Sequence, residues 1–198
     1  MNTRLSVLAL ISDLHKESIP YDLDVLERTV LEIEPDLLCL EITRQAWDHG
    51  NFRGAPLPIR ETLAPAAAAS DIVIIPVAVS HREHHDFSQR SGVRGRMVHA
   101  LDSLHRAVQR RSTVRTINAR AYDAFCHIIC DLEEAFWESS AREAWNGETR
   151  AMYQQILDGT RRDPGRRVLV AVQCHRKHWL DDRLADQPDI ELVDYWLL

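Results

Sequence analysis

Five apolar runs constrain the fold of this 198-residue chain more than any other feature. The first, Leu5 to Ile11, is almost wholly apolar. "PDLLCLEI", "DIVIIPVAV", "VLVAV" (Val168 to Val172) and "IELVDYW" follow in order. A strand with one wet face alternates apolar and polar residues, and these runs do not. They read as strands covered on both faces, as in a parallel sheet under helices. Helix-period segments separate them. Leu23, Leu26, Val30 and Ile33 mark a helix over Asp22 to Glu34, closed by Pro35. "APAAAAS" reads as the end of a helix starting near Leu57. Tyr122, Phe125, Ile129, Leu132 and Phe136 mark one face of a long helix that Asn146-Gly147 should break. A further helix over Glu148 to Leu157 should stop at Gly159, and a short one is expected near Trp179. Pro76 removes a ladder donor, which predicts an edge strand or a bulge there. The expected fold is a single α/β domain over residues 1–198, with a largely parallel central sheet flanked by helices. Residues 82–157 form a mostly helical insertion or cap between the third and fourth strands.

A chain of this length buries a sizeable core in one domain. The net charge of −6 gives no bulk attraction to nucleic acid or an anionic membrane. No apolar run approaches the roughly 20 residues of a membrane helix, and Arg4 and its short apolar run lack a small-x-small cleavage site. Cys39, Cys126, Cys130 and Cys174 contain no C-x-x-C pair, which suits reduced thiols. A cytoplasmic protein is expected.

Chemically able residues follow the strands. The first strand exits into Asp13 and His15, the second into Glu41, the third into His81 and Arg82, the fourth into Cys174 and His175. Open parallel sheets bind ligands outside the carboxyl ends of their strands, so four such exits together predict a site. Glu41 directly continues "LLCL", which puts its carboxylate at the lip of the sheet. A half-buried carboxylate stays charged only when paired, and His15 and His175 are the expected partners. Two imidazoles and a carboxylate can hold a divalent metal (Mn, Co or Zn) with a position open for water. The same residues can work without metal, one histidine taking a proton from water while Glu41 orients it. Arg82 can bind a carboxylate or an oxyanion. His84 and His85 fit no standard ligand spacing and read as solvated loop. Cys174 beside His175 suggests a thiol nucleophile, but neighbours leaving a strand point to opposite faces, so a buried structural cysteine is expected.

The residues at these exits carry a family resemblance. "LISDLHKESI" resembles a strand followed by G-x-x-H, "LEIEPDLLCLEI" a PD-apolar-apolar-x-apolar-E motif, and "ETRAMYQQIL" with "RVLVAVQCH" an Arg/Met helix and a strand ending in a second G-x-x-H. In this order they resemble the TraB/Tiki group, within the superfamily that includes erythromycin-esterase-like and ChaN-like proteins. Ser12 and Val172 stand where the two motifs have glycine. The resemblance implies an α/β fold with His15, Glu41 and His175 as core site residues, supported by Arg150 and Arg82. It implies a hydrolase: a metal-dependent peptidase as in Tiki-like members, or an ester hydrolase using histidine and glutamate. The ChaN-like branch implies haem binding instead, with His15, His175 or His178 as axial ligand.

Asp13-Leu14-His15 also resembles the start of a calcineurin-like metallophosphoesterase, but the later segments of a two-metal site are missing. Residues 90–120 hold eight arginines and one acidic residue, Asp102. That segment is +7, which leaves −13 for the rest. It reads first as a solvated helical face. In the sharper reading it is a basic flap that recruits an acidic peptide or another anionic, small-molecule substrate, or docks on the acidic body of a second copy in a homodimer.

Overall fold

The computed structural model describes residues 2–80 and 92–198. His81, Arg82, His84 and His85 lie outside the described residues. The sheet has five strands: β1 (Thr3–Leu10), β2 (Leu37–Thr43), β3 (Val73–Ala78), β4 (Arg167–Gln173) and β5 (Ile190–Leu192). All described pairings are parallel, in the order β3-β2-β4-β1-β5. The fold is α/β. β4 lies between β1 and β2, pairing Val170 with Val7 on one side and Cys39 on the other. Its position explains why "VLVAV" has no polar residue: both edges and both faces are covered. Pro76 sits on the edge strand β3 opposite Leu40, and the register shifts just beyond that pair.

Helices pack on both faces. Leu8, Leu10, Leu38, Leu40 and Leu169 join α1 (Leu23–Ile33) through Leu26 and Val30, and α6 (Arg120–Glu134) through Tyr122 and Cys126. Leu5, Val7, Cys39, Val168 and Val170 join α7 (Ser139–Arg162) through Met152 and Ile156, and α8 (Cys174–Ala185) through Leu180 and Leu184. Between α1 and β3 come α2 (Arg44–Asp48), a π-helical turn (Ile59–Leu63) and α3 (Ala64–Ala68). α4 (Gly92–Gln109) and α5 (Val114–Ile117) precede α6. Among the described residues, no helix is long and apolar enough to cross a membrane.

Two helix boundaries differ from the sequence expectation. α7 runs without a break through Asn146-Gly147 and past Gly159 to Arg162. A glycine in a helix costs about 1 kcal/mol. Burial of Trp145, Met152, Ile156 and Leu157 along the same helix outweighs that cost. Gly159 is a close-approach position: a Cβ there would meet Ile75 Cδ1 at 2.9 Å. The break falls earlier, over residues 135–138. On α6 the buried face is Tyr122, Cys126, Ile129, Cys130 and Glu133: of the expected stripe Tyr122 and Ile129 are buried, while Phe125 is only half-buried. Leu132 is exposed.

Candidate functional site

His15, Glu41 and His175 lie at the carboxyl edge of the sheet but are not brought together as one ligand group. His15 is buried in the 3-10 turn after β1. Its Nε2 accepts from the Ile11 N–H at 3.0 Å. Its Nδ1 therefore carries the proton and donates to the Tyr21 carbonyl at 2.9 Å. Burial holds the ring neutral, with its pKa down at about 4. Both nitrogens are thus engaged by main chain, and His15 braces the strand exit. Just before it, Ser12 takes φ +50°, the left-handed region that glycine enters freely. The position where the resembled motif has glycine is therefore one whose backbone favours it. Val172, at the second such position, is buried in extended β4.

Glu41 is buried and paired, as its place in the sequence suggested, but its partners are not histidines. Its Oε2 accepts from the Gln173 N–H at 2.8 Å. Its Oε1 accepts from Gln173 Nε2 at 2.7 Å and from Arg176 Nε at 3.0 Å. Burial pushes the Glu41 carboxyl up, against the pull of Arg176 and the Gln173 bonds. Arg176 is itself buried and stacks 3.5 Å from the Trp145 ring centroid. It also donates to Thr149 Oγ1. The buried guanidinium of this edge is therefore Arg176, whereas Arg150 is exposed on α7. Glu41 grips residues 173 and 176, on either side of Cys174 and His175.

Cys174 belongs to the one group of donors, among the described residues, arranged to hold a metal ion, and His175 borders it. His105, Cys126 and Cys174 are all buried, and one ligand atom from each lies within 4.8 Å of the others. This buried group could hold a metal ion. It is a different set from His15, Glu41 and His175, the ligands expected from the sequence. Three elements converge to build it. His105 comes from α4, with Gln109 one turn on. Cys126 comes from α6, with Tyr122 and Cys130 one turn to either side. Cys174 opens α8 directly after β4. The surrounding polar groups hold the donors in place. Tyr122 Oη lies 2.7 Å from His105 Nε2, Gln109 Nε2 donates to Cys174 Sγ at 3.2 Å, and Cys130 Sγ is 3.7 Å from Cys126 Sγ. A tetrahedral zinc with Zn–S bonds of about 2.3 Å sets its sulfurs roughly 3.8 Å apart, a span that fits inside this group.

Compared with protein-family models, curated proteins and solved structures, the chain matches none. The site must be read from its own chemistry. Metal-free, Cys126 and Cys174 are neutral thiols. Cys126 is raised first by its hydrogen bond to Cys130, Cys174 first by its bond to Cys126, and both by burial. A bound cation would reverse this, because coordination deprotonates a thiol. Cys174 also occupies the first position of a helix, whose dipole favours a thiolate.

His175 adjoins this group. Its Nδ1 lies 3.5 Å from Cys174 Sγ and its ring centroid 5.0 Å from that of His105. The expectation that Cys174 and His175 point to opposite faces fails because the helix, not the strand, contains both. The expected burial of Cys174 holds. The basic helix also finds partners within the chain. Arg106 pairs with Asp13 through two bonds of 2.9 and 3.2 Å, and Arg110 with Glu17 through two of 2.7 and 2.9 Å. These ion pairs tie α4, which carries His105, to the exit of β1.

Proposed function

We propose that the chain is a metal-dependent hydrolase whose divalent ion is held by His105, Cys126 and Cys174. The observation that carries this reading is the convergence of three buried donors from α4, α6 and α8 at the carboxyl edge of a parallel sheet. Two thiolates and an imidazole select zinc over manganese, which prefers oxygen ligands. A zinc held by these three ligands would supply an acidified water, since zinc coordination lowers the pKa of water to about 7. His175 is half-buried beside the ligands and would take the proton. Glu41 acts as a positioning residue: by bonding Gln173 and Arg176 it fixes the segment that carries Cys174 and His175. The resemblance to the TraB/Tiki group adds peptide-bond cleavage as the first reaction to test. A metal-free histidine–glutamate dyad has less support, because His15 has both nitrogens engaged and Glu41 accepts three hydrogen bonds.

Turnover of peptide and ester libraries by the metal-loaded chain, with Cys174→Ser and His175→Ala beside the parent, tests the assignment. Cys174→Ser should lose both ion and turnover. His175→Ala should keep the ion and lose turnover. Hydrolysis that survives complete metal removal, or full turnover in His175→Ala, overturns it.

A further inference from the structure

β5 ends at Leu192, and this leaves part of β1 without a neighbour. Odd-numbered residues of β1 turn their main-chain groups to the β5 side. Thr3 N–H donates to Asp189 O at 3.0 Å, and Leu5 O accepts from Val193 N–H at 2.9 Å. Beyond β5, side chains take over. Ala9 N–H donates to Asn118 Oδ1 at 2.8 Å, and Ala9 O accepts from Tyr21 Oη at 2.9 Å. Period two puts the Val7 N–H and C=O on this same side, between the served residues. Among the described residues neither has a hydrogen-bond partner. An unmet main-chain donor and acceptor at a strand edge are a template for another amide.

The gap does not close on itself. A cleft of about 520 Å³ opens there, with Val7 in its lining, within the size range of small-molecule sites. Its walls carry charge. The Lys177 ammonium, itself buried, is held by Asp123 at 2.9 Å and by Asp181. Arg120, Asp182 and Asp194 line the same cleft, so four aspartates and two cations share its walls. His178 adds no positive charge, since burial holds its pKa at about 4.

We propose that this cleft binds a small organic cation bearing one amide group, of the kind an amidated basic amino acid presents. The amide would bond Val7 N–H and C=O in the lane that β5 vacates. Because Leu5 O and Ala9 N–H are already taken, the lane accepts a single amide and not a longer strand. The cationic group would lie against Asp182 and Asp194. This site is independent of the metal centre, whose ligands do not line the cleft.

Lysinamide titrated into ¹⁵N-labelled protein is the test, with acetamide and butylamine as the two half-probes. Saturable movement of the Val7 amide resonance is expected with lysinamide and at lower affinity with either half-probe. Asp182 and Asp194 are both exposed, so replacing them by asparagine together should leave the fold intact. The pair should weaken binding about three- to tenfold, the range for two solvated charge contacts. No movement at Val7 at saturating lysinamide overturns the proposal. So does equal binding by the asparagine variant.

Discussion

Arg176→Met removes one buried guanidinium and leaves its stem volume in place. Arg176 and Glu41 have side chains only 2% and 3% exposed, so the Glu41 carboxylate would remain in the core with only the Gln173 contacts. Breaking such a pair from one side costs about 3–5 kcal/mol. The stacking on Trp145 at 3.5 Å is lost as well, and a desolvated contact of that kind contributes about 2 kcal/mol. Met retains some of the packing, so about 3–5 kcal/mol is expected in all, against a typical total stability of about 5–15 kcal/mol. With a urea slope of about 2–3 kcal/mol/M, the midpoint should fall by about 1–2.5 M. The assay is urea unfolding followed by circular dichroism, with chelator present so that metal linkage does not contribute. The double variant Glu41→Gln, Arg176→Met removes the stranded charge and should recover part of the loss. If Arg176→Met unfolds within about 0.3 M of the parent, or the double variant is no better than the single, the edge does not depend on this pair.

The Glu133 carboxyl is raised to about 8, by burial first and then by Asp102 and Glu134, from an ordinary value of 4.5. The folded state therefore holds a proton there that the unfolded state releases, and stability should fall as pH rises from about 4.5 to 8. Urea midpoints of Glu133→Gln at pH 5 and pH 8.5 should differ less than those of the parent. Gly159→Val places branched carbons where even a Cβ lies 2.9 Å from Ile75 Cδ1. Thermal unfolding should show a loss of about 1–3 kcal/mol, smaller in an Ile75→Ala background.

The sheet was legible because both-face burial leaves its own pattern: the β1, β2 and β4 runs are apolar without alternation, and Pro76 marked the β3 edge. The carboxyl edge was legible for the same reason, since polar residues can enter only where those runs stop. Their partners were not. Arg176 is 135 residues from Glu41, and in sequence it reads as one of several charges on a surface helix. Glu41 indicated that a countercharge was needed without indicating which one. His105, Cys126 and Cys174 sit on three elements, and no spacing rule links them. A signal existed in the helix period: Cys126 and Cys130 share a face with Tyr122, and His105 shares one with Gln109. Polar residues on the inward stripes of two neighbouring helices point to a buried polar centre. Gly147 misled because local propensity is weaker than the burial that carries α7 through it.

X-ray absorption at the zinc edge of the zinc-loaded chain reads the ligand set itself. One zinc per chain is expected, with two sulfur scatterers at about 2.3 Å and nitrogen or oxygen at about 2.0–2.1 Å. Cys126→Ser or Cys174→Ser should each remove one sulfur or abolish binding. A first shell of nitrogen and oxygen alone, unchanged in both serine variants, would contradict it.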